Sequence, residues 1–285
     1  MIVDALSRER ILEGLEAREI GRVLHVHGEV GSTNDLAMAL ADAGAPHGTA
    51  VVAERQTQGR GRLGRTWVSP AGLGLWVSVV LRPEVSAAQA PAMTLAAGLA
   101  AAEAIEGEAG RAAAEAGQAG AGIVATLKWP NDVLLEGRKV AGILTELRTV
   151  DQAVAHLVVG IGVNVHQGRS EFPPELAATA ISIRQATGRA VSRVRLLQRL
   201  FARLEAWSQR FVGEGPGAVV AAAGARMPLL GQRVVAVAGA ERWEGTAARL
   251  DGDGALVIAL AGGGTRRVLA AEITLAGDDR RPMGV

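Results

Sequence analysis

Cysteine is absent from the 285 residues, which excludes disulfides, thiolate nucleophiles and cysteine-based zinc sites. Any large excess of one charge is missing too. Thirty Lys and Arg stand against twenty-nine Asp and Glu, a formal net charge of +1. A dedicated nucleic-acid binder normally carries a basic surplus, so that class starts behind. No stretch approaches the roughly twenty uninterrupted apolar residues of a membrane-spanning helix. The first twenty residues hold Arg8, Glu9, Arg10, Glu13 and Glu16, with no apolar segment suited to a secretory signal. A soluble cytoplasmic protein is the expectation. Several catalytic signatures are also lacking: no Gly-x-x-x-x-Gly-Lys-Ser/Thr phosphate loop, no Gly-x-Ser-x-Gly elbow and no His-Glu-x-x-His helix. What is present is a globular composition, 49% hydrophobic and 21% charged, long enough for one large or two unequal domains.

Basic groups are concentrated locally instead. The stretch Gln56 to Pro70 sets Arg60, Arg62 and Arg65 among Gly59, Gly61 and Gly64. Glycine lets the backbone approach a ligand closely, and guanidinium forks suit carboxylates and phosphates. The stretch reads as a loop that is mobile when empty and closes over an anion; a solvated basic turn is the bland alternative. Gly59-x-Gly61-x-x-Gly64 has the spacing of a dinucleotide fingerprint. The element after it is a strand, Trp76 to Leu81, where that fold needs a helix to receive the pyrophosphate. The match is accidental.

Hydrophobic periodicity orders the rest. An amphipathic helix is expected over Asp4 to Ala17, with Leu6, Ile11, Leu12 and Leu15 on one side. Val23 to Val30 suits a strand, with His25 and His27 on one face; two histidines alone favour a structural role over a metal site. Ser32 and Asp35 have the form of a capping box, and the helix start they mark is also an anion and carbonyl receptor. Strands are expected at Thr49 to Arg55 and Gly74 to Leu81, and a helix over Ser86 to Glu106 with Pro91 in its first turn. Gly107 to Gly122 is an Ala/Gly/Glu tract, read as an exposed loop or a frayed helix extension. Ile123 to Trp129 is expected to be a strand ending at Pro130-Asn131-Asp132, followed by Val133 to Leu135, which turns at Glu136-Gly137 into Lys139 to Leu147 as a hairpin. Leu157 to Val163 is apolar on both faces and so a central buried strand. Ser192 to Phe211 is the clearest helix, stopped by Gly213, Gly215, Pro216 and Gly217. From Met227 the texture changes to short strands (Gln232 to Val237, Arg242 to Leu250, Ala255 to Leu260, Thr265 to Leu269), the pattern of a small β-barrel.

The polar residues that remain gather at strand ends: Ser32, Thr33 and Asn34, the Arg/Gly loop, Lys128-Trp129-Pro130-Asn131-Asp132, Arg138-Lys139, and Asn164. Several cations around a few amides fit a substrate with a carboxylate and phosphates, and hence carboxylate activation by a nucleoside triphosphate.

On Ser32-Thr33-Asn34, Gly59-Arg-Gly-Arg-Leu-Gly-Arg65, Lys128-Trp-Pro-Asn-Asp132, Arg138-Lys-Val-Ala-Gly-Ile-Leu144 and Gly160-Ile-Gly-Val-Asn164, the chain resembles the biotin protein ligases from about Val30 to Leu275. The resemblance implies an α+β fold: a mixed β-sheet flanked by helices, plus a small C-terminal SH3-like β-barrel suggested by Gly245, Asp251, Gly254 and Glu272-Ile273. It divides the chain into a catalytic domain (1–227), the SH3-like domain (228–277) and a tail (278–285). It implies ATP and biotin as substrates, with Mg2+ arriving with the ATP. Biotinyl-5'-AMP forms first, and biotin then passes to a lysine of a biotin carboxyl carrier protein or domain. Carried over by position, Ser32, Thr33, Asn34 and Gln56 hold biotin's head group, and Arg60, Gly61 and Arg62 belong to the covering loop. Lys139 meets the carboxylate and α-phosphate. The adenylate engages Arg60, Arg62, Lys128, Asn131, Lys139 and Asn164. Catalysis falls to Lys139, Arg62 and Asp132, the last orienting the incoming lysine or taking its proton. Trp67 and Trp129 are candidates to line the apolar part of the site, although core packing explains each tryptophan taken alone.

About thirty residues precede Ser32, too few for the helix-turn-helix of the repressor members, so no sequence-specific DNA binding is expected. Monomer and homodimer both remain open. The rivals are a lipoate–protein ligase or octanoyl transferase, a non-catalytic biotin-binding regulator, and a nucleic-acid binder using the arginine cluster. The Arg/Gly loop and the Lys-Trp-Pro-Asn-Asp motif favour biotin. Ala271 stands where the family often has glycine.

Overall fold

The computed structural model describes residues 4–117, 122–151 and 153–276; the tail expected over 278–285 lies outside them. Seven strands form one mixed sheet. They are β1 (Leu24–Val30), β2 (Ala50–Gln56), β3 (Gly74–Leu81), β4 (Thr126–Lys128), β5 (Asp132–Leu135), β6 (Arg138–Val150) and β7 (Ala153–Asn164). Their order is β1-β2-β3-β7-β6-β5-β4, with β1 and β2 parallel and every other pair antiparallel. A parallel pair needs a crossover, and helix α2 (Thr33–Asp42) supplies it. Strand β7 is the middle strand, as its run of apolar residues requires.

Period-two alternation assigns the two faces of the sheet. Leu75, Val77, Val79 and Leu81 of β3, with Leu157, Val159, Ile161 and Val163 of β7, enter the main core. That core is closed by α3 (Ala90–Glu115) and α5 (Arg193–Glu214). On the other face Val80 and Val158 meet Ala37 and Ala41 of α2 in a small separate cluster. The same face carries Trp76, Ser78, Gly160 and Gly162, and the functional residues lie there.

Three elements differ from the sequence reading. The first helix, α1, spans only Arg8–Glu13, with Ser7 as its cap, although Leu6 and Leu15 on either side are buried. Helix α3 runs on to Glu115, because alanine favours helix and because Glu108, fully buried, accepts from Arg195 Nε at 3.0 Å. The tract is therefore packed on α5 up to Glu115, and residues 118–121 lie outside the described ones. After α4 (Ile183–Thr187) and α5, the Gly215-Pro216 pair ends one helix and starts another. Gly215 takes φ +80° and Pro216 opens α6 (Pro216–Ala225), a position where proline's missing N–H costs nothing.

The C-terminal strands β8 (Arg233–Ala238), β9 (Glu241–Leu250), β10 (Leu256–Leu260), β11 (Thr265–Val268) and β12 (Glu272–Leu275) make an antiparallel sheet ordered β11-β10-β9-β8-β12. Its edge strands β11 and β12 are not paired with each other, so the sheet is open where a closed barrel was expected. Val234, Ala236, Ala247, Leu256 and Ile258 join the main core, and Trp129 Nε1 donates to Gly254 O at 2.9 Å.

Candidate active site

At the start of α2, Ser32 caps the helix, accepting from Asp35 N at 3.4 Å. The next two side chains turn onto the sheet. Thr33 donates through N (2.8 Å) and Oγ1 (3.0 Å) to Gln56 Oε1. Gln56 Nε2 donates to Ser69 Oγ at 2.9 Å, and Ser69 donates to Trp67 O at 3.0 Å. Asn34 donates through Nδ2 to Glu146 Oε2 (2.8 Å) and Leu144 O (3.2 Å). Ser78 Oγ lies 2.6 Å from Asn34 Oδ1 and 2.8 Å from Thr33 Oγ1. One connected set of neutral amides and hydroxyls thus forms a polar end. The capping box expected from Ser32 and Asp35 is half made, because Asp35's carboxylate turns outward to Arg60.

From that end a bare strip of main chain runs across β7 and β6. A Cβ on Gly160 would collide with Asn34 Oδ1, one on Gly162 would meet the Trp67 indole at 2.5 Å, and one on Gly142 would meet it at 2.8 Å. Gly142 and Gly162 are register partners, so the three glycines form one floor. The Trp67 ring rests on it edge-to-face with Trp76, centroids 6.4 Å apart. Its Nε1 is buried and has no hydrogen-bond partner.

The far end of the strip is cationic. Lys139 Nζ sits 5.1 Å from the centroid of the Trp67 ring and pairs with Asp132 Oδ1 at 2.6 Å. A bulge between Val133 and Leu134 separates the two pairings, a device that re-aims side chains. Arg62 donates to Asn131 Oδ1 at 3.2 Å, and Asn131 is fixed in turn by donating to Ile143 O at 2.9 Å. Burial lowers the Arg62 pKa, Asp132 raises it and Arg65 lowers it; a guanidinium so placed still stays charged. Arg62 and Asn131 also line a cleft of about 150 Å³ with Thr94, Trp129, Thr145 and Gly254. Lys128 stands opposite Asp132 in the β4–β5 pairing.

The Arg/Gly loop is a folded hairpin. Bridges Gln56–Ser69 and Arg60–Thr66 and the bonds Gly61 N to Arg65 O (2.7 Å) and Trp67 N to Gly59 O (2.9 Å) close it. Its tip turns at Leu63, with φ +56° and the side chain 69% exposed. The three arginines diverge: Arg60 to Asp35 and Glu146, Arg62 to Asn131, and Arg65 to Glu272 of the C-terminal sheet.

Most residues singled out in the sequence converge here. Asn164 stands apart from the slot: it is buried, donating to Lys139 O (3.4 Å) and Ile181 O (3.3 Å) while accepting from Gln167 (3.2 Å). Its amide ties the start of β6 to the segment before α4. Sequence reasoning missed Ser69, Ser78 and Glu146. Ser78 left a signal, as the one hydroxyl in the wholly buried strand Gly-Leu-Trp-Val-Ser-Val-Val-Leu. Among the described residues no group of three or more His, Asp or Glu side chains could hold a metal ion, and no helix is long and apolar enough to cross a membrane.

A hydrogen-bonding end of amides and hydroxyls, a flat apolar middle and a cationic end lie in a row on one face of the sheet. Residues 29–164 match the model of the Biotin/lipoate A/B protein ligase family. The Paracoccus denitrificans biotin–[acetyl-CoA-carboxylase] ligase is 36% identical over 248 residues, 86% of this chain and 98% of that one. The Bacillus subtilis bifunctional ligase/repressor BirA is 40% identical over 195 residues, 68% of this chain but only 56% of the repressor's length. Among solved structures, the Aquifex aeolicus biotin protein ligase in complex with biotin and ATP superposes with a TM-score of 0.72 at 32% identity, covering 89% of this chain and 98% of that one. The chain belongs to the biotin protein ligases of this family.

Proposed function

We propose that the chain activates biotin with ATP and transfers it to a lysine of a biotin carboxyl carrier protein or domain. The observation that carries this reading is the glycine-floored strip joining the Thr33–Asn34–Gln56 polar end to Lys139. Biotin's ureido head is neutral and rich in donors and acceptors, its thioether ring and alkyl chain are apolar, and its tail ends in a carboxylate. In the first step a carboxylate oxygen attacks the α-phosphorus of ATP and pyrophosphate leaves. Lys139 and Arg62 offset the repulsion between the two anions and the charge that builds on phosphorus. In the second step the acceptor amine attacks the acyl carbon, AMP leaves with the bonding pair, and the amine gives up a proton. Asp132, beside Lys139, orients that amine.

Ser32, Thr33, Asn34 and Gln56 take the head group in this reading, with Arg60, Gly61 and Arg62 as the lid. Arg62, Lys128, Asn131 and Lys139 serve the phosphates and adenylate, while Arg60 is tied to Asp35 and Glu146 at the head-group end. Asn164 supports the adenine side through the segment it ties to Lys139. Mg2+ enters with ATP as part of the substrate. The lid also excludes water from a hydrolysable mixed anhydride. We assign residues 1–227 to catalysis, 228–277 to an SH3-like module and 278–285 to a tail, in a cytoplasmic enzyme, monomeric or homodimeric.

Biotin-dependent ATP–pyrophosphate exchange tests the reading. Exchange is expected with the purified protein, and Lys139→Ala lowers kcat/KM by about 100-fold or more, as loss of a group that stabilises developing charge does. Absence of exchange in the wild type overturns the assignment. Transfer of lipoate in preference to biotin would move it to the other branch of the family.

A further inference from the structure

We propose that Glu146 is a positioning residue whose single carboxylate clamps the Asn34 amide and the lid arginine Arg60 together. The ligand's identity rests on the ligase reading above; the clamp is a matter of geometry. One oxygen, Glu146 Oε2, accepts from Asn34 Nδ2 at 2.8 Å and from Arg60 Nη2 at 2.7 Å. A carboxylate can only accept, so it forces the Asn34 NH₂ toward β6 and leaves Oδ1 to Ser78. Leu144 O takes the other Nδ2 proton, and the amide has no freedom to flip.

The second half of the clamp concerns the lid. Arg60 also meets Asp35 Oδ1 at 2.5 Å, but the Asp35 side chain is 58% exposed against 29% for Glu146. An exposed pair is screened by water and contributes little. Glu146 is the better-shielded anchor, and it stands on the sheet itself. The hairpin is thereby referenced to β6, the strand that also bears Gly142 and Lys139. With the lid pre-set, less ordering cost falls on ligand binding.

The test compares wild type with Glu146→Gln, Arg60→Ala and the double variant. Glutamine keeps an acceptor for Asn34 and removes the charge. Two quantities are read: hydrogen–deuterium exchange of residues 57–68 in the ligand-free protein, and KM for biotin against kcat in pyrophosphate exchange. Glu146→Gln is expected to speed lid exchange about fivefold and to raise KM about fivefold with kcat within about twofold, the scale of one partly exposed ion pair. The double variant should exchange no faster than Arg60→Ala. Unchanged lid exchange, or additive effects in the double variant, overturns the clamp. If circular dichroism shows Glu146→Gln misfolded, Arg60→Ala alone decides: unchanged lid exchange in that variant also overturns it. Should the wild type catalyse no biotin-dependent exchange, the ligase reading falls while lid exchange still decides the clamp.

Discussion

Ser78 shows how much a single hydroxyl organises. It is fully buried in a strand whose other residues are apolar or glycine, and it touches both Thr33 and Asn34. Removing it leaves a buried amide oxygen without a donor, which costs about 1–3 kcal/mol. Ser78→Ala is therefore expected to lower the unfolding free energy by that order and to raise KM for biotin several-fold, read from urea unfolding curves and exchange kinetics. The slot residues on motifs were legible in the sequence because each is polar, clustered and set at a strand end. Ser78, Ser69 and Glu146 were not, since their roles depend on which strands become neighbours. Asn164 was legible as a residue of interest, but its partners were not: its amide is spent on Lys139 O and Ile181 O.

At the scale of elements, α5 does more than cover the sheet. Glu205 accepts from the backbone N–H of Arg18 (2.8 Å), Glu19 (2.7 Å) and Ile20 (2.9 Å) and so pins the segment that leads into β1. Burial acts to raise its pKa, but those three donors and Arg18 outweigh it, and the carboxyl sits below its ordinary 4.5. A lowered pKa stabilises the fold above the unfolded value, and that stability is lost as pH falls through the lowered one. Glu205→Gln should thus destabilise by about 1–3 kcal/mol at pH 7, with the gap to wild type closing as pH drops below about 4. Urea titrations at several pH values measure it. Long, strongly periodic elements such as α5 and β3 were readable from spacing. Helix α6 and strand β12 were not: α6 hides behind glycine and proline that also mark a stop, and β12 buries a single apolar side chain, Ile273. The extension of α3 depended on a buried Glu108 whose arginine partners lie on α5.

On the scale of the whole molecule, the C-terminal sheet reaches the site at two points. Arg65 of the lid pairs with Glu272, and Trp129 of the Lys-Trp-Pro-Asn-Asp turn bonds Gly254 O. The sheet therefore braces both the cover and the turn that carries Asn131 and Asp132. Trp129→Phe removes the bond while keeping most of the packing. It is expected to destabilise by about 1–2 kcal/mol, to speed amide exchange around residues 251–256 and to lower the rate of acceptor biotinylation. Unchanged exchange there would mean that the Trp129–Gly254 bond does not couple the two halves.

The glycine floor has a consequence for redesign. Trp67 and Asn34 lie directly on the main chain at Gly142, Gly160 and Gly162, and no substitution can make a backbone thinner. Extra room for analogues with bulkier ring systems has to come from the Trp67 side, because that indole already rests on the floor. A pocket built this way is adjustable from one side alone, and any enlarged-substrate variant has to begin with the lid.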